Sequence, residues 1–223
     1  MAPNPVLHFV EFKRTITGKI EDRERISGGP VMLKNDVVRV SPAATRSTHV
    51  RWTVIDRPLV DQKIEDARKN ARKREIHNLH SSDQEALHRM LNSIQPGSYI
   101  RPHRHLDPPK DEGFVLLKGS AGFVIFDAEQ GLKKKEFILL DFQRGTYGID
   151  IRAGVWHTLF SLEPDTVLYE VKPGPFTPLT DKDFAPWSPR DSLPEAATFL
   201  SELEDEFRRY WKLAPRGWKN LQP

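Results

Sequence analysis

Two histidines one residue apart, His103 and His105, are the first sign of chemistry in this chain. On a strand, side chains two apart point to the same side, so this pair can set both imidazoles on one side of a sheet. Glu112 opens the next apolar run. If the two segments pair, its carboxylate joins the imidazoles in a nitrogen and oxygen ligand set that suits one divalent ion of zinc, iron, manganese or nickel. Pro108 and Pro109 stiffen the loop between them and reduce the entropy lost in holding Glu112. His157 follows a glycine turn at Gly154 and shares strand parity with Val155 and Leu159. By itself it fits a buried, hydrogen-bonded core residue as well as a ligand.

Other polar residues are candidates by position. Tyr99 and Arg101 share the strand parity of the two histidines, so both are expected to face the same cavity as substrate-binding groups. There Arg101 could hold a carboxylate or phosphate through paired hydrogen bonds; a salt bridge at the barrel rim is its alternative. Glu170 and Lys172 also share a face and are expected to form an internal ion pair. His77 and His80 lie three apart in a linker, and neither they nor His88 has a completing ligand nearby in sequence. Trp156 and Trp187 suit packing.

The elements that must position these groups follow from pattern. Residues 1–52 read as a β-rich N-terminal extension with strand-like runs at 6–12 and 37–40. Residues 53–95 read as helical. Asp56 and Pro58 start one helix, along which Val60, Ile64, Ala67 and Ala71 recur at helical spacing. Ser82 and Glu85 suggest a capping box for a second, with Leu87, Met90, Leu91 and Ile94 as its apolar face. Residues 96–180 predict short strands at 98–101, 113–117, 122–126, 136–140, 148–151, 155–160 and 166–171, punctuated by turn residues as in a closed barrel or jelly roll. Residues 181–223 form a tail with a helix at about 193–212, which packs on the barrel or on a second subunit.

Composition narrows the function classes. The chain has 223 residues, enough for a sizeable core, and a formal charge of +3. Its basic residues gather at Arg68, Lys69, Arg72, Lys73 and Arg74 without a nucleic-acid reading module, so a solvated helix face is the expectation and nucleic acid is not a partner. With no cysteine, disulfides, thiolate catalysis and iron–sulfur ligation are excluded. No run reaches membrane-spanning length, and a cytoplasmic protein, expected as a homodimer, is the default.

The wording around the histidines resembles a known family. Gly97, His103, His105, Glu112 and Gly119 fit the first cupin motif, and Gly154 with His157 the second. The stretches Arg72-Lys73-Arg74, His77-Asn78-Leu79-His80, Tyr99-Ile100-Arg101-Pro102-His103-Arg104-His105, Gly154-Val155-Trp156-His157-Thr158-Leu159, Lys172-Pro173-Gly174-Pro175 and Asp181-Lys182-Asp183-Phe184-Ala185 resemble the WbuC-type cupin metalloproteins, over roughly 56–189. The resemblance implies a mainly β cupin jelly-roll barrel with flanking α-helices and a metal ion held by His103, His105, Glu112 and His157. It also implies a bacterial role associated with surface-polysaccharide gene clusters. Six residues separate His105 from Glu112, where the motif has three or four, and Arg152 stands where it has proline, which makes Asp107 and Asp111 fallback ligands. Three functions are open: an enzyme acting on a small oxygen-rich or anionic molecule, a binding or sensor module for one, and a metal serving only as a structural staple.

Overall fold

The computed structural model describes residues 37–48, 51–127, 129–178 and 181–216. The run expected at 6–12 lies outside them. Twelve strands occur among the described residues: β1 (Val37–Ser41), β2 (Ala44–Ser47), β3 (Arg74–Asn78), β4 (Leu87–Ile94), β5 (His103–Arg104), β6 (Glu112–Lys118), β7 (Ser120–Asp127), β8 (Gly131–Asp141), β9 (Gly148–Ile151), β10 (Trp156–Ser161), β11 (Thr166–Pro173) and β12 (Asp183–Phe184). Two helices, α1 (Arg57–Lys69) and α2 (Glu195–Trp211), flank them. One sheet runs β1-β2-β3-β4-β11-β6-β9 and the other β12-β5-β10-β7-β8. Every pairing is antiparallel except β2 with β3. This is the expected jelly-roll barrel of the cupin type, mainly β with flanking helices.

Alternation along the strands builds the layers. Ile94, Phe114, Leu116, Phe123, Leu140, Leu159 and Leu168 point between the sheets and form the barrel core. Val124, Phe126, Leu139 and Phe160 point the other way from the second sheet, where Leu200, Leu203 and Phe207 of α2 cover them. Each such side chain, fully buried, contributes about 1.5–3 kcal/mol. On the outer face of the first sheet, Leu59 and Ile64 of α1 pack on Leu91 and Val167. Helix α1 begins as its sequence predicts, with the Asp56 carboxylate accepting from the Leu59 N–H at 3.0 Å. None of the described helices is long and apolar enough to cross a membrane.

The second expected helix is a strand. Glu85 does accept from the Ser81 N–H, at 2.7 Å, but the contact closes a turn, and Leu87–Ile94 is β4 at the middle of its sheet. Met90, Leu91 and Ile94 fit either period. Eight register partners on β11 favour the strand, sending Met90 and Ile94 inward and Leu91 onto α1. The preceding segment, read as linker, is β3, so only its first part, through Lys69, is helical. Residues 98–102 are unpaired, and the strand expected there is reduced to the two residues of β5. The β6–β7 connection is Gly119 alone, at φ +76°, where a Cβ would lie 2.8 Å from the Thr166 Cα.

Candidate metal centre

The inner face of the first sheet changes character along the barrel. Leu116 and Phe114 on β6 give way to Glu112, and Leu168 on β11 gives way to Glu170 and Lys172. Opposite this polar end, β5 pairs with β10 so that His103 and His157 are direct cross-strand partners, with ring centroids 4.5 Å apart. His105 follows β5, its carbonyl accepting from the Gly154 N–H at 2.9 Å, and its ring centroid lies 5.2 Å from that of His103. The four side chains come from both sheets, and all are buried. His103, Glu112 and His157 each offer a ligand atom, and these atoms lie within 4.8 Å of one another. His105 stands outside that three-residue set but places Nε2 2.7 Å from Glu112 Oε1.

Backbone carbonyls fix the proton on each ring. His103 Nδ1 lies 2.9 Å from the Arg101 carbonyl, His157 Nδ1 lies 3.0 Å from the Val155 carbonyl, and His105 Nδ1 contacts the Asp181 carbonyl. A carbonyl only accepts, so each Nδ1 carries its hydrogen and each neutral ring presents Nε2 as a lone pair. His157 Nε2 lies 3.1 Å from Glu112 Oε2, and His105 Nε2 has no hydrogen-bond partner despite its nearness to Oε1. Lone pairs are therefore turned toward a carboxylate, an arrangement that is repulsive unless a cation sits among them. Three imidazole nitrogens and a carboxylate, each nitrogen oriented by a second hydrogen bond, fit the donor chemistry of zinc, iron, manganese or nickel.

Charge supports the same reading. Burial and then the Lys182 ammonium push His103 well below the ordinary histidine range, so the ring is neutral. Burial opposes ionisation of Glu112, and the Lys172 ammonium is foremost among the influences that nonetheless hold the carboxyl well below its usual range. A metal needs its ligands in these protonation states.

The supporting network includes residues that strand parity missed. Lys172 Nζ lies 3.3 Å from Glu112 Oε1, 3.4 Å from Glu170 Oε1 and 3.2 Å from Asp181 Oδ2. The ion pair of Glu170 with Lys172 is thus as expected. Burial lowers the affinity of Lys172 for its proton, but Glu170, Glu112 and Asp181 more than offset it and keep the group charged. Asp181 also accepts from Lys110 Nζ at 2.8 Å. One residue therefore steadies Glu112 through Lys172 and His105 through its own carbonyl. The only sequence signal for Asp181 was its place in a motif stretch.

Other expectations are corrected. Tyr99 and Arg101 do not line the cavity. Tyr99 donates to the Pro189 carbonyl at 2.9 Å, and Arg101 donates to Ser188 Oγ and the Ala185 carbonyl, both at 3.0 Å. Extrapolating strand parity failed because residues 98–102 are not a strand; Ile100 faces the barrel instead. Asp107 is exposed, and Asp111 accepts from the Ala153 N–H at 2.8 Å and Arg152 Nη1 at 3.0 Å, so neither serves as a fallback ligand. The departure at Arg152 thus clamps the long loop. His77 is held between Thr45 and Ser47, while His80 and His88 stack at 4.1 Å on the wall of the cavity. That cavity measures about 530 Å³ and reaches His103, Glu112, Glu170 and Lys182.

A family model described as a domain of unknown function, DUF6016, matches residues 55–139. No curated protein matches the chain. Among solved structures, the chain is similar to the capsular polysaccharide assembling protein CapF of Staphylococcus aureus, at 18% identity over 49% of this chain and 28% of that one, with a TM-score of 0.37. It is similar to an oxalate decarboxylase of Bacillus subtilis at 18% identity over 62% and 32% of the two chains, TM-score 0.37. It is also similar to ChmJ, a 3'-monoepimerase of Streptomyces bikiniensis, at 15% identity over 47% and 52%, TM-score 0.38. The chain spans about a third or less of the first two and about half of the third. Its own architecture is a two-sheet jelly-roll barrel with a buried histidine and glutamate group fit for a metal ion.

Proposed function

We propose that this chain is a WbuC-type cupin that holds one divalent metal ion on His103, His105, Glu112 and His157 and uses it to bind, and act on, a small oxygen-rich or anionic molecule, with a sugar derivative as the leading class. One observation carries the reading: imidazole nitrogens fixed as acceptors are turned toward a buried carboxylate, with His105 Nε2 unpartnered. A metal bound there would supply Lewis acidity toward an oxygen of the ligand. The chain supplies the rest. Asp181 and Lys172 hold the ligand residues in place, and Asn92, which donates to Glu170 Oε2 at 2.6 Å, forms with it a hydrogen-bonding wall for hydroxyl groups. At about 530 Å³ the cavity is large enough for a molecule of sugar size.

Binding without turnover is a second reading. Glu170, Lys172 and Asp181 beside the centre are tied to one another, which leaves none of these three free to move a proton. Elemental analysis of the purified full chain tests the metal. One equivalent is expected in the wild type and less than a tenth of that in His103→Ala and His157→Ala, both still folded by circular dichroism. Full metal content in the two variants, or none in a wild type offered zinc, iron, manganese and nickel in turn, overturns the proposal. Product formation from a panel of sugar derivatives and organic acids separates the enzyme from the binding module.

A further inference from the structure

The cavity wall beside the metal centre carries a cation that nothing in the described structure pairs. Lys182 follows Asp181, whose carboxylate is gripped by Lys110 and Lys172 and whose carbonyl orients His105, so the backbone from which it springs is fixed. Its side chain lines the cavity together with His103 and Glu112. Among ionised groups its ammonium acts most strongly on His103, which places the charge at the ligand end. Burial, and then Lys172, lower its proton affinity against the pull of Glu112, Glu170 and Asp181. Yet no acceptor among the described residues hydrogen-bonds it, whereas Lys110 and Lys172 each have two or more oxygen partners.

The charge balance says what is missing. Glu112, Glu170 and Asp181 are met by Lys110 and Lys172, whereas Lys182 contacts none of the three. The cavity is lined by five basic and four acidic side chains, so a divalent ion would add to an existing positive excess. A buried excess of one sign is unfavourable unless a counter-charge accompanies it. A neutral polyol could use the metal and the Asn92–Glu170 wall, but it would leave Lys182 and the excess charge as they are.

Building on the metal-binding reading above, we propose that the ligand is a small hydroxycarboxylate, anchored through its carboxylate by Lys182 beside the residues that would hold the metal. The remaining hydroxyls of a longer member of the class meet Asn92 and Glu170 on the opposite wall. Lys182 thus sets the preference for an acid over its neutral counterpart.

The test uses the full chain loaded with Mn²⁺, its metal content read by elemental analysis, and calorimetric titration with gluconate and glycolate against the neutral polyol sorbitol. Wild-type protein is expected to bind the acids at least about tenfold more tightly than sorbitol. Lys182→Gln should lose about tenfold or more on the acids while its Mn²⁺ content and its sorbitol affinity stay unchanged, and Lys182→Arg should restore most of the loss. Equal acid affinity in wild type and Lys182→Gln, sorbitol binding as tight as gluconate, no acid binding to the loaded wild type, or loss of Mn²⁺ from Lys182→Gln each overturns the proposal. A wild type that takes up no metal shows itself in the elemental analysis before any titration, and counts against the metal-binding reading itself.

Discussion

Two buried histidine sites in this barrel are built on opposite plans. At His77, Nδ1 lies 2.9 Å from Thr45 Oγ1 and Nε2 lies 2.8 Å from Ser47 Oγ. A hydroxyl both donates and accepts, so either ring tautomer is satisfied there. Lys63 donates to Thr45 at 3.1 Å and is itself paired with Asp66 at 2.6 Å, which closes the cluster without help from outside. At His103, His105 and His157 the partners of Nδ1 are carbonyls, which permit one tautomer only, and the remaining nitrogens are turned toward a carboxylate. The first site is complete as protein. The second has a donor set that a cation would complete, and the two sites differ in this partner chemistry rather than in burial or residue type.

The comparison breaks first at the ligands themselves. Removing the carboxylate charge with Glu112→Gln should lower metal affinity by more than the ~10–100-fold that loss of an outer hydrogen bond to a metal ligand typically causes. Competition with a chelating dye measures it, and a Glu112→Gln protein with wild-type affinity would remove the carboxylate from the ligand set. His77→Gln, by contrast, should leave the affinity unchanged. Next in size is Lys172→Met. It strips the cation from Glu112, Glu170 and Asp181 together, and breaking a buried ion network from one side costs about 3–5 kcal/mol. Urea unfolding of the metal-free protein should show that loss, and Glu170→Gln in the same background should recover part of it by removing one uncompensated charge.

The same contrast explains what was legible in the sequence. His103 and His105 were legible through strand parity, a local feature, as well as through the motif, whereas His157 and Glu112 rested mainly on the motif resemblance. The final helix was legible too: its apolar stripe of Ala196, Leu200, Leu203 and Phe207 has a single period and a single face. Leu87–Ile94 was not, because its apolar residues satisfy both periods and only pairing with β11, some eighty residues away, makes it a strand. Tyr99 and Arg101 were misplaced by extending parity through Pro102 into backbone that is not a strand. Asp181 and Lys110 reach the centre through loops, where no periodicity constrains the direction of a side chain.

At the closed site the expected effects are smaller. Thr45→Val removes the hydroxyl shared by His77 and Lys63 and leaves buried polar atoms short of a partner, a loss of about 1–3 kcal/mol that denaturant unfolding can read. A change below that range would mean that water or a shifted side chain replaces the hydroxyl. A second signal from this site is the pH response of His77. Burial, and then the nearby Lys63 ammonium, lower its pKa from 6.5 to about 4, so the folded protein keeps this ring neutral where the unfolded chain has begun to protonate. Between those two values the unfolded state holds more protons at this site, and stability must fall as pH falls from 6.5 toward 4, with no further contribution from this residue below. Every histidine of the unfolded chain takes up a proton near the ordinary value of about 6.5, so the informative quantity is the difference in unfolding midpoint between wild type and His77→Gln. That difference should shrink steadily from pH 7 to pH 4.5. If the two proteins instead run parallel across the range, His77 has no depressed pKa, and burial beside Lys63 does not exclude the proton there.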